Sequence, residues 1–199
     1  MSRKTYFNDV AETWDKRYCT PQLASFLRKL VSQFGLKLGQ NVLDVGTGTG
    51  VLIPHLVQMV GASGSVTAVD YAEKMVQIGK SKHVHFDNVS VELHDIEEDG
   101  LPSESFDAVT CFGLFPHLTK KEKALHNMRR ALKPGGILII AHALSSEELK
   151  AHHANVASSV VNDTLPEKAE MRRLLKRTGF TRIRIRDKRG CYLCKSIKL

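Results

Sequence analysis

The chain has 199 residues, is 42% hydrophobic and 25% charged, and carries a formal net charge of +8 at pH 7. This length favours one sizeable hydrophobic core over two, so we expect a single domain over residues 1–199, present as a monomer or a homodimer. No apolar run approaches the roughly 20 residues that a membrane-spanning helix requires, and the N-terminus lacks the apolar segment of a secretory signal peptide. We therefore expect a cytoplasmic protein without membrane insertion.

Short β-branched runs alternate with helical segments along the chain, a pattern typical of a parallel α/β sheet. Two closing runs, 181–187 and 191–197, are linked by the turn Asp187–Gly190 and predict an antiparallel hairpin. The sequence therefore predicts an α/β fold whose doubly wound, seven-stranded sheet is mostly parallel and ends in that hairpin. The other strands are predicted near 41–46, 65–70, 89–94, 106–111 and 136–142, and helices near 21–35, 50–60, 72–81, 119–132 and 167–178.

The segment 41–50 carries the strongest functional signal. An apolar run ends at Val45 and is followed by glycines at three alternate positions, 46, 48 and 50. Glycine lets the backbone turn sharply and approach a ligand closely. The helix predicted next would present free N–H groups at its N-terminus. A strand, a glycine-rich loop and a helix in this order predict a site for a nucleotide-like cofactor.

Three carboxylates narrow the choice of cofactor. Asp44 stands at the end of the first strand, where it could accept hydrogen bonds from a cationic cofactor or brace the loop. Asp70 ends the second strand, in position for two ribose hydroxyls. Asp95 ends the third strand and is followed by Ile96, an apolar wall for an adenine ring. Acidic groups so placed would repel a pyrophosphate, and they favour a cofactor with a sulfonium and an amino group.

Several motifs beyond the glycine loop match those of a known family. They are Val66–Asp70, His94–Ile96 with Leu101 and Pro102, Ser105–Cys111 with Leu114–Leu118, Arg129–Ile137, and the N-terminal segment Tyr6–Asp15. With the glycine loop, they resemble the class I S-adenosylmethionine-dependent methyltransferases, in particular the small-molecule group that includes the ubiquinone and menaquinone C-methyltransferases. The resemblance implies a Rossmann-like fold, S-adenosylmethionine as cofactor, S-adenosylhomocysteine as product, and N-terminal helices over 1–35 that cover the cofactor.

By this resemblance the cofactor-binding residues follow the ends of the first four strands. Asp70 would hold the ribose, Asp95 would bind the adenine amino group, and Ile96 would flank the adenine. Tyr71 would flank the adenine as well, or could be a surface residue at the start of a helix. The full implied set is Asp44, Gly46, Thr47, Gly48, Gly50, Asp70, Tyr71, Met75, Asp95, Ile96 and Phe112.

Two histidines are candidates for a direct role in catalysis. Methyl transfer from a sulfonium is an in-line displacement in which the enzyme mainly supplies proximity and alignment. A base is needed only where the acceptor must lose a proton. His117 and His142 follow the ends of the fourth and fifth strands, next to the predicted cofactor. Either could instead be hydrogen-bonded in the wall of the crevice.

Residues 143–166 form an insert between the fifth strand and the last helix, beginning with a helical stretch that Ser145 or Ser146 would cap. Because the insert leaves the carboxyl edge of the sheet, it is a candidate lid over the site. Adjacent histidines on a helix point about 100° apart. We therefore expect no metal site from its polar groups, which are His152, His153, Asn155 and Asp163.

The cysteine pair near the C-terminus, Cys191 and Cys194, has no second Cys/His pair at zinc-site spacing. We therefore interpret these two residues as structural cysteines.

The basic C-terminal region bears on the methyl acceptor. Arg182, Arg184 and Arg186 alternate with isoleucines, which is typical of an edge strand with one solvated face. No aromatic side chains interleave with these charges, so we do not expect a nucleic-acid partner.

The sequence therefore predicts methyl transfer to a small-molecule acceptor. The alternatives are an RNA or protein methyltransferase and a non-catalytic protein that binds S-adenosylmethionine. A nicotinamide-dependent oxidoreductase is disfavoured, because a second substrate domain is missing.

Overall fold

The computed structural model describes residues 2–153 and 163–199. Within these residues a short 3₁₀ turn, Phe115–His117, follows the fourth strand. The helices are α1 Arg3–Tyr18, α2 Pro21–Val31, α3 Ile53–Val60, α4 Glu73–His83, α5 Lys121–Ala131, α6 Ser146–His153 and α7 Lys168–Arg177. The strands are β1 Asn41–Val45, β2 Ser65–Asp70, β3 Val89–Leu93, β4 Phe106–Phe112, β5 Leu132–His142, β6 Phe180–Lys188 and β7 Cys191–Lys198.

The seven strands form one sheet in the order β3-β2-β1-β4-β5-β7-β6. Strands β1 to β5 pair in parallel, while β7 pairs antiparallel with both β5 and β6. The predicted fold class, with its C-terminal hairpin, is confirmed. Since β1 lies between β2 and β4 and pairs in parallel with both, the loops that follow these three strands meet at one edge of the sheet.

Apolar helix faces cover the sheet on both sides. One core cluster includes Leu125 and Met128 of α5 and Leu175 of α7. A second cluster includes Leu27 of α2 and Leu56 of α3. The edge strand β6 carries its arginines exposed at alternate positions, as the sequence predicts for a solvated face.

Three element boundaries differ from the sequence prediction by three or more residues. Helix α2 ends at Val31 rather than at residue 35. Helix α3 begins at Ile53 rather than at residue 50, because residues 48–52 form turns. Strand β5 begins at Leu132 rather than at residue 136. The buried Leu132 pairs with Phe106, and a register shift then accommodates the residues before Ile137. Pro134 lies in that bulge, where its missing N–H costs no hydrogen bond of the sheet.

The helix α1 lies against the loops at the carboxyl edge of the sheet. Its N-cap is Ser2, whose hydroxyl accepts from the Thr5 N–H at 3.1 Å. Near the middle of α1, Asn8 donates to Glu73 and accepts from the Lys74 N–H. Further along, Asp15 accepts from Thr49 and forms an ion pair with Lys82. These contacts join α1 to α4 and to the loop after β1.

Within residues 2–153 and 163–199, no helix combines the length and the apolar character needed to cross a membrane.

The side chain of Tyr192 gives a stability prediction. It is fully buried in the core cluster beneath α7, and its hydroxyl has no hydrogen-bond partner among the described residues. An unsatisfied buried hydroxyl costs about 1–3 kcal/mol. We expect Tyr192→Phe to raise the free energy of unfolding by about 1 kcal/mol, measured by urea denaturation. Tyr192→Ala, the control for the packing of the ring, should lower it by ~3–5 kcal/mol. A Tyr192→Phe variant less stable than wild type would contradict this account.

Candidate functional site

The glycine loop is held by the end of the neighbouring strand. The N–H groups of Gly46 and Thr47 both donate to the carbonyl oxygen of Val69, at 2.8 and 3.0 Å. The N–H of Gly48 donates to the Asp70 carboxylate at 2.8 Å. Three consecutive loop donors are therefore used within the protein.

The first turns toward α3 are satisfied in the same way. The N–H of Gly50 donates to the Thr47 carbonyl, and that of Ile53 donates to the Gly50 carbonyl. An anion-binding site at a helix start needs several backbone N–H groups that point at the ligand. Five N–H groups between residues 46 and 53 are thus used within the protein, which leaves fewer donors here for a pyrophosphate.

Glycine is required at two loop positions for steric reasons. Gly46 has φ 68°, and a Cβ there would lie 2.6 Å from the Leu114 side chain. Gly50 has φ 88°, and a Cβ there would lie 2.4 Å from Nε2 of His83. Both glycines therefore allow a close approach of the loop to neighbouring side chains as well as a left-handed backbone.

The carboxylate of Asp70 is the central acceptor of the site. One oxygen accepts from the Gly48 N–H, and the other accepts from the Ala72 N–H at 2.9 Å. Burial raises the pKa of Asp70 above its ordinary value, although the hydrogen bonds from Ala72 and Gly48 oppose that effect. The side chain is 8% exposed and also lines a cavity.

That cavity has a volume of about 400 Å³ and lies at the carboxyl edge of the sheet. It contains six of the residues predicted for the site, namely Gly46, Asp70, Tyr71, Asp95, Ile96 and His117. Its other lining residues are Ser2, Arg3, Lys4, Val45, His94, Glu97, Leu114, Leu118 and Thr119. The structure therefore brings together residues that follow β1, β2, β3 and β4 with the start of α1.

Six predicted cofactor-binding residues do not line this cavity, and Asp44 is one of them. Thr47 is buried, and Gly48 and Gly50 hold the loop through the hydrogen bonds described above. Met75 is buried in a cluster with Ala11 and Ala72, beneath α1. Phe112 is half-buried and packs against the core cluster near α2 and α3.

The carboxylate of Asp44 braces the sheet from below the loop. It is 2% exposed and accepts from the Thr110 hydroxyl on β4 at 2.6 Å. Burial raises the pKa of Asp44 to about 6, with the hydrogen bond from Thr110 opposing it. Asp44 lies outside the cavity lining, and its hydrogen bond joins β1 to β4.

The side chain of Asp95 stays close to its own turn. One carboxylate oxygen accepts from the Glu97 N–H at 2.9 Å, which fixes the turn after β3. The next side chain, Ile96, is buried and forms an apolar wall of the cavity. A carboxylate and an apolar side chain therefore follow each other at the cavity after β3, in the order that the sequence suggests.

The two candidate catalytic histidines occupy different surroundings. His117 lines the cavity, and its Nδ1 lies 2.7 Å from a carboxylate oxygen of Asp163. His142 lies outside the cavity lining. Its Nδ1 accepts from the Leu144 N–H at 3.0 Å, and its ring stacks on Phe112 with centroids 6.3 Å apart.

A cluster around Asp163 was not predicted from the sequence. The Arg3 guanidinium donates to both oxygens of Asp163, and the His117 ring packs edge-on against Phe7 at 5.3 Å. Burial alone would raise the pKa of Asp163, yet the hydrogen bonds from His117 and Arg3 lower it to about 2. The sequence pointed to Asp163 only as a polar group of the insert.

The insert is described in part. Helix α6 begins after Ser145, whose hydroxyl accepts from the Glu148 N–H at 3.2 Å, so the predicted cap is confirmed. Asn155 and the middle of the candidate lid, residues 154–162, lie outside the described residues. In the ranges 2–153 and 163–199, no three acidic, histidine or cysteine side chains form a cluster that could hold a metal ion.

Comparison with known proteins decides the family. The family model described as "Methyltransferase domain" matches residues 36–179. The chain belongs to this methyltransferase domain family. The predicted recognition, the S-adenosylmethionine-dependent methyltransferase class and the cofactor are thereby confirmed at the level of the family.

Curated relatives of the methyltransferase domain act in quinone biosynthesis, according to their names. The chain is 37% identical over 144 residues to the ubiquinone/menaquinone biosynthesis C-methyltransferase UbiE of Escherichia fergusonii, covering 67% of this chain and 56% of that protein. It is 29% identical over 188 residues to the demethylmenaquinone methyltransferase of Staphylococcus aureus, covering 82% and 77%. The chain spans about half the length of the UbiE proteins that it matches.

Solved structures show the same architecture. A SAM-dependent methyltransferase from Aquifex aeolicus superposes with a TM-score of 0.78 at 26% identity, covering 96% of this chain and 98% of that one. Phosphoethanolamine N-methyltransferase 2 of Haemonchus contortus, in complex with S-adenosyl-L-methionine, has a TM-score of 0.73 at 19% identity, covering 87% and 52%. The latter likeness concerns the fold.

The cavity of the methyltransferase domain fits S-adenosylmethionine in its chemistry. Its volume lies within the roughly 300–1,000 Å³ of small-molecule sites. Asp70, Asp95 and Glu97 offer acceptors for hydroxyl and amino donors. Nε2 of His94 is buried and has no partner among the described residues, which leaves a polar atom for a ligand to satisfy.

The buried Asp44 gives a pH prediction. Because its folded-state pKa of about 6 exceeds the ordinary value of 3.8, the folded chain holds the proton more tightly than the unfolded chain. Its contribution to stability is therefore lost as pH rises from about 4 to 7, by roughly 2–3 kcal/mol. We expect Asp44→Asn to remove this loss, measured as the difference in unfolding free energy from wild type at each pH.

Asp107 is the control with the opposite sign. Burial would raise its pKa, but hydrogen bonds from the Asn41 N–H and from Lys133 lower it. Asp107→Asn should therefore remove a gain of stability with rising pH. Parallel pH curves for wild type and Asp44→Asn would show that Asp44 does not titrate in this way.

Proposed function

We propose that this chain transfers the methyl group of S-adenosylmethionine to a small-molecule acceptor. The proposal rests on one observation above all. In a member of the methyltransferase family, one cavity at the carboxyl edge is lined by both the buried carboxylate of Asp70 and the imidazole of His117. Such a cavity can bind a cofactor and act on an acceptor beside it.

The cavity residues would hold the cofactor by complementary hydrogen bonds. Asp70 would accept from the ribose hydroxyls, and Asp95 from the adenine amino group. Tyr71 and Ile96 would flank the adenine, while Gly46 would lie next to the methionine moiety. When bound, S-adenosylmethionine supplies an electrophilic methyl group and a neutral thioether as leaving group. The protein's part is alignment, which can contribute roughly 7–11 kcal/mol to lowering such a barrier.

The acceptor that we propose is an aromatic ring with an ionisable hydroxyl, of the quinol type. The names of the curated relatives support this class. Methylation of such a ring requires the loss of a proton, and a positioned base contributes about 10²–10⁴-fold in rate. His117 lines the cavity between the apolar side chains Leu114 and Leu118, which suit an aromatic ligand.

Two alternatives stay open: methylation of RNA or protein, and binding of the cofactor without catalysis. The oligomeric state and the cytoplasmic location stay predictions. The arginines of β6 that would favour a nucleic acid are on the outer edge strand, at the far end of the strand order from β1 and β2. They form part of the solvated strand face already described.

Methyl transfer from isotope-labelled S-adenosylmethionine tests the function. The labelled cofactor is incubated with the protein and a cell extract, which is then separated into small-molecule, RNA and protein fractions. We expect the label in the small-molecule fraction, and in a demethylmenaquinol probe added at defined concentration. Binding of the cofactor without label in any fraction would contradict the enzyme proposal, and label in RNA or protein would contradict the acceptor class.

Two histidine variants test the base. We expect His117→Gln to lower the rate of transfer to the probe by about 100-fold or more, since glutamine cannot take up a proton. Affinity for S-adenosylhomocysteine, measured by calorimetry, should stay within about threefold of wild type because the cavity's carboxylates remain. His142→Gln should have the smaller effect on the rate. Equal losses in both variants would contradict the assignment of His117.

A further inference from the structure

The Asp163 side chain links the start of α1 to the imidazole of His117. Its carboxylate is 2% exposed and lies 2.7 Å from Nδ1 of His117. Nε of Arg3 donates to the same oxygen at 3.0 Å, and Nη2 of Arg3 contacts the other oxygen. Residues 160 positions apart in the chain thus meet at the wall of the cavity.

We propose that Asp163, oriented by Arg3, is a positioning residue that fixes the tautomer of His117. The carboxylate accepts the Nδ1–H of the ring, so that Nε2 carries the lone pair that takes a proton from the acceptor. This inference rests on the proposed function, and it adds to that function a role for two residues outside the family's cofactor motifs.

The contact of Nδ1 with Asp163 selects one neutral tautomer of His117. An ionised carboxylate can only accept hydrogen bonds, and a guanidinium can only donate them. The pKa of Asp163, lowered to about 2, keeps this group ionised at neutral pH. The neutral His117 ring must therefore donate from Nδ1, which leaves Nε2 as its basic atom.

The loop that carries His117 is fixed from a second side. Lys121 donates to the carbonyl oxygens of Pro116 and Leu118, at 3.3 and 2.7 Å. The other charged or titratable groups that act on Arg3 and Lys121 are Tyr71, Glu97 and Glu170. The ring is thus held at Nδ1 and through its backbone, as a positioned base requires.

The proton and electron balance of the step is simple. The acceptor atom forms a bond to the methyl carbon while the bond between that carbon and sulfur breaks. The electron pair of the broken bond stays on sulfur. The hydroxyl proton of the acceptor goes to Nε2 of His117. Where a ring carbon takes the methyl group, the hydrogen on that carbon then leaves as a proton and the ring oxygen regains one, which restores the aromatic hydroxyl. The resulting imidazolium is stabilised by the Asp163 carboxylate, whose own charge is partly balanced by Arg3.

Asp163→Asn tests the tautomer directly. The guanidinium of Arg3 still requires an acceptor, so the amide oxygen should turn to Arg3 and the amide NH₂ to His117. Nδ1 then becomes the acceptor and the proton moves to Nε2. We expect long-range ¹H–¹⁵N spectra of histidine-labelled protein to show His117 as the Nδ1–H tautomer in wild type and as the Nε2–H tautomer in Asp163→Asn.

A second substitution should reverse the first. In Arg3→Leu/Asp163→Asn, the amide is free to present its oxygen to His117, so the Nδ1–H tautomer should return. If Asp163→Asn acted only by loosening the fold, removing the Arg3 guanidinium as well would not restore the Nδ1–H tautomer. Glu73→Gln is the matched control, since it weakens the contacts of α1 with Lys4 and Asn8 but leaves Asp163 in place. The His117 tautomer should not change in that variant.

The rate provides the second readout. We expect Asp163→Asn to lower kcat for the demethylmenaquinol probe by about 10²-fold or more, with little change in affinity for S-adenosylhomocysteine. An unchanged tautomer, or transfer at the wild-type rate, would overturn the inference and leave the proposed function intact. If wild type transfers no methyl group although the tautomer changes as expected, the proposed function fails, and the role of His117 as a base fails with it.

Discussion

The hydrogen bonds of one carboxylate join the loop after β1 to the start of α4 at the carboxyl edge of this sheet. Asp70 ends β2, accepts from the Gly48 N–H of the loop after β1, and accepts from the Ala72 N–H at the start of α4. It is buried and lines the cavity at the same time. Because hydrogen bonds to a charged group are worth roughly 1.5–3 kcal/mol each, the position of the loop and the position of the ligand acceptor are set together.

This arrangement also explains which ligands the site can hold. The N–H groups of Gly46, Thr47 and Gly48 donate to Val69 and Asp70. The glycines therefore allow the loop to approach its neighbours closely rather than supply hydrogen bonds to a ligand. The cavity therefore offers carboxylate acceptors where a dinucleotide site offers backbone donors. We therefore expect a ligand with ribose hydroxyls, an amino group and a positive charge to match these acceptors better than a pyrophosphate does.

The fold, and the site residues that directly follow strand ends, could be predicted from the sequence. Alternating strands and helices determine the sheet, and a residue that directly follows a parallel strand must lie at its carboxyl edge. Asp70, Tyr71 and Ile96 line the cavity for this reason. Met75 lies one helical turn further on and packs beneath α1 instead, which no local pattern shows. Phe112 lies at the end of β4, and its ring stacks on His142 outside the cavity.

Contacts between residues far apart in the chain could not be predicted from the sequence. The pairing of Arg3 with Asp163 depends on how α1 and the end of the insert meet, and neither residue stands in a motif. A second example is His83, whose ring fills the space that a side chain at residue 50 would need. Such contacts follow from tertiary packing, since spacing along the chain fixes only residues on one helix face or at adjacent strand ends.

Binding of S-adenosylhomocysteine to wild type and to Asp70→Ala, measured by titration calorimetry, tests the central claim most directly. Loss of one charged acceptor should weaken binding by at least about tenfold. Asp99→Ala, on a side chain that is 66% exposed and outside the cavity, is the matched control and should bind as wild type does. Thermal unfolding of each variant separates a loosened loop from a lost ligand contact. Affinity of Asp70→Ala within twofold of wild type would contradict the account.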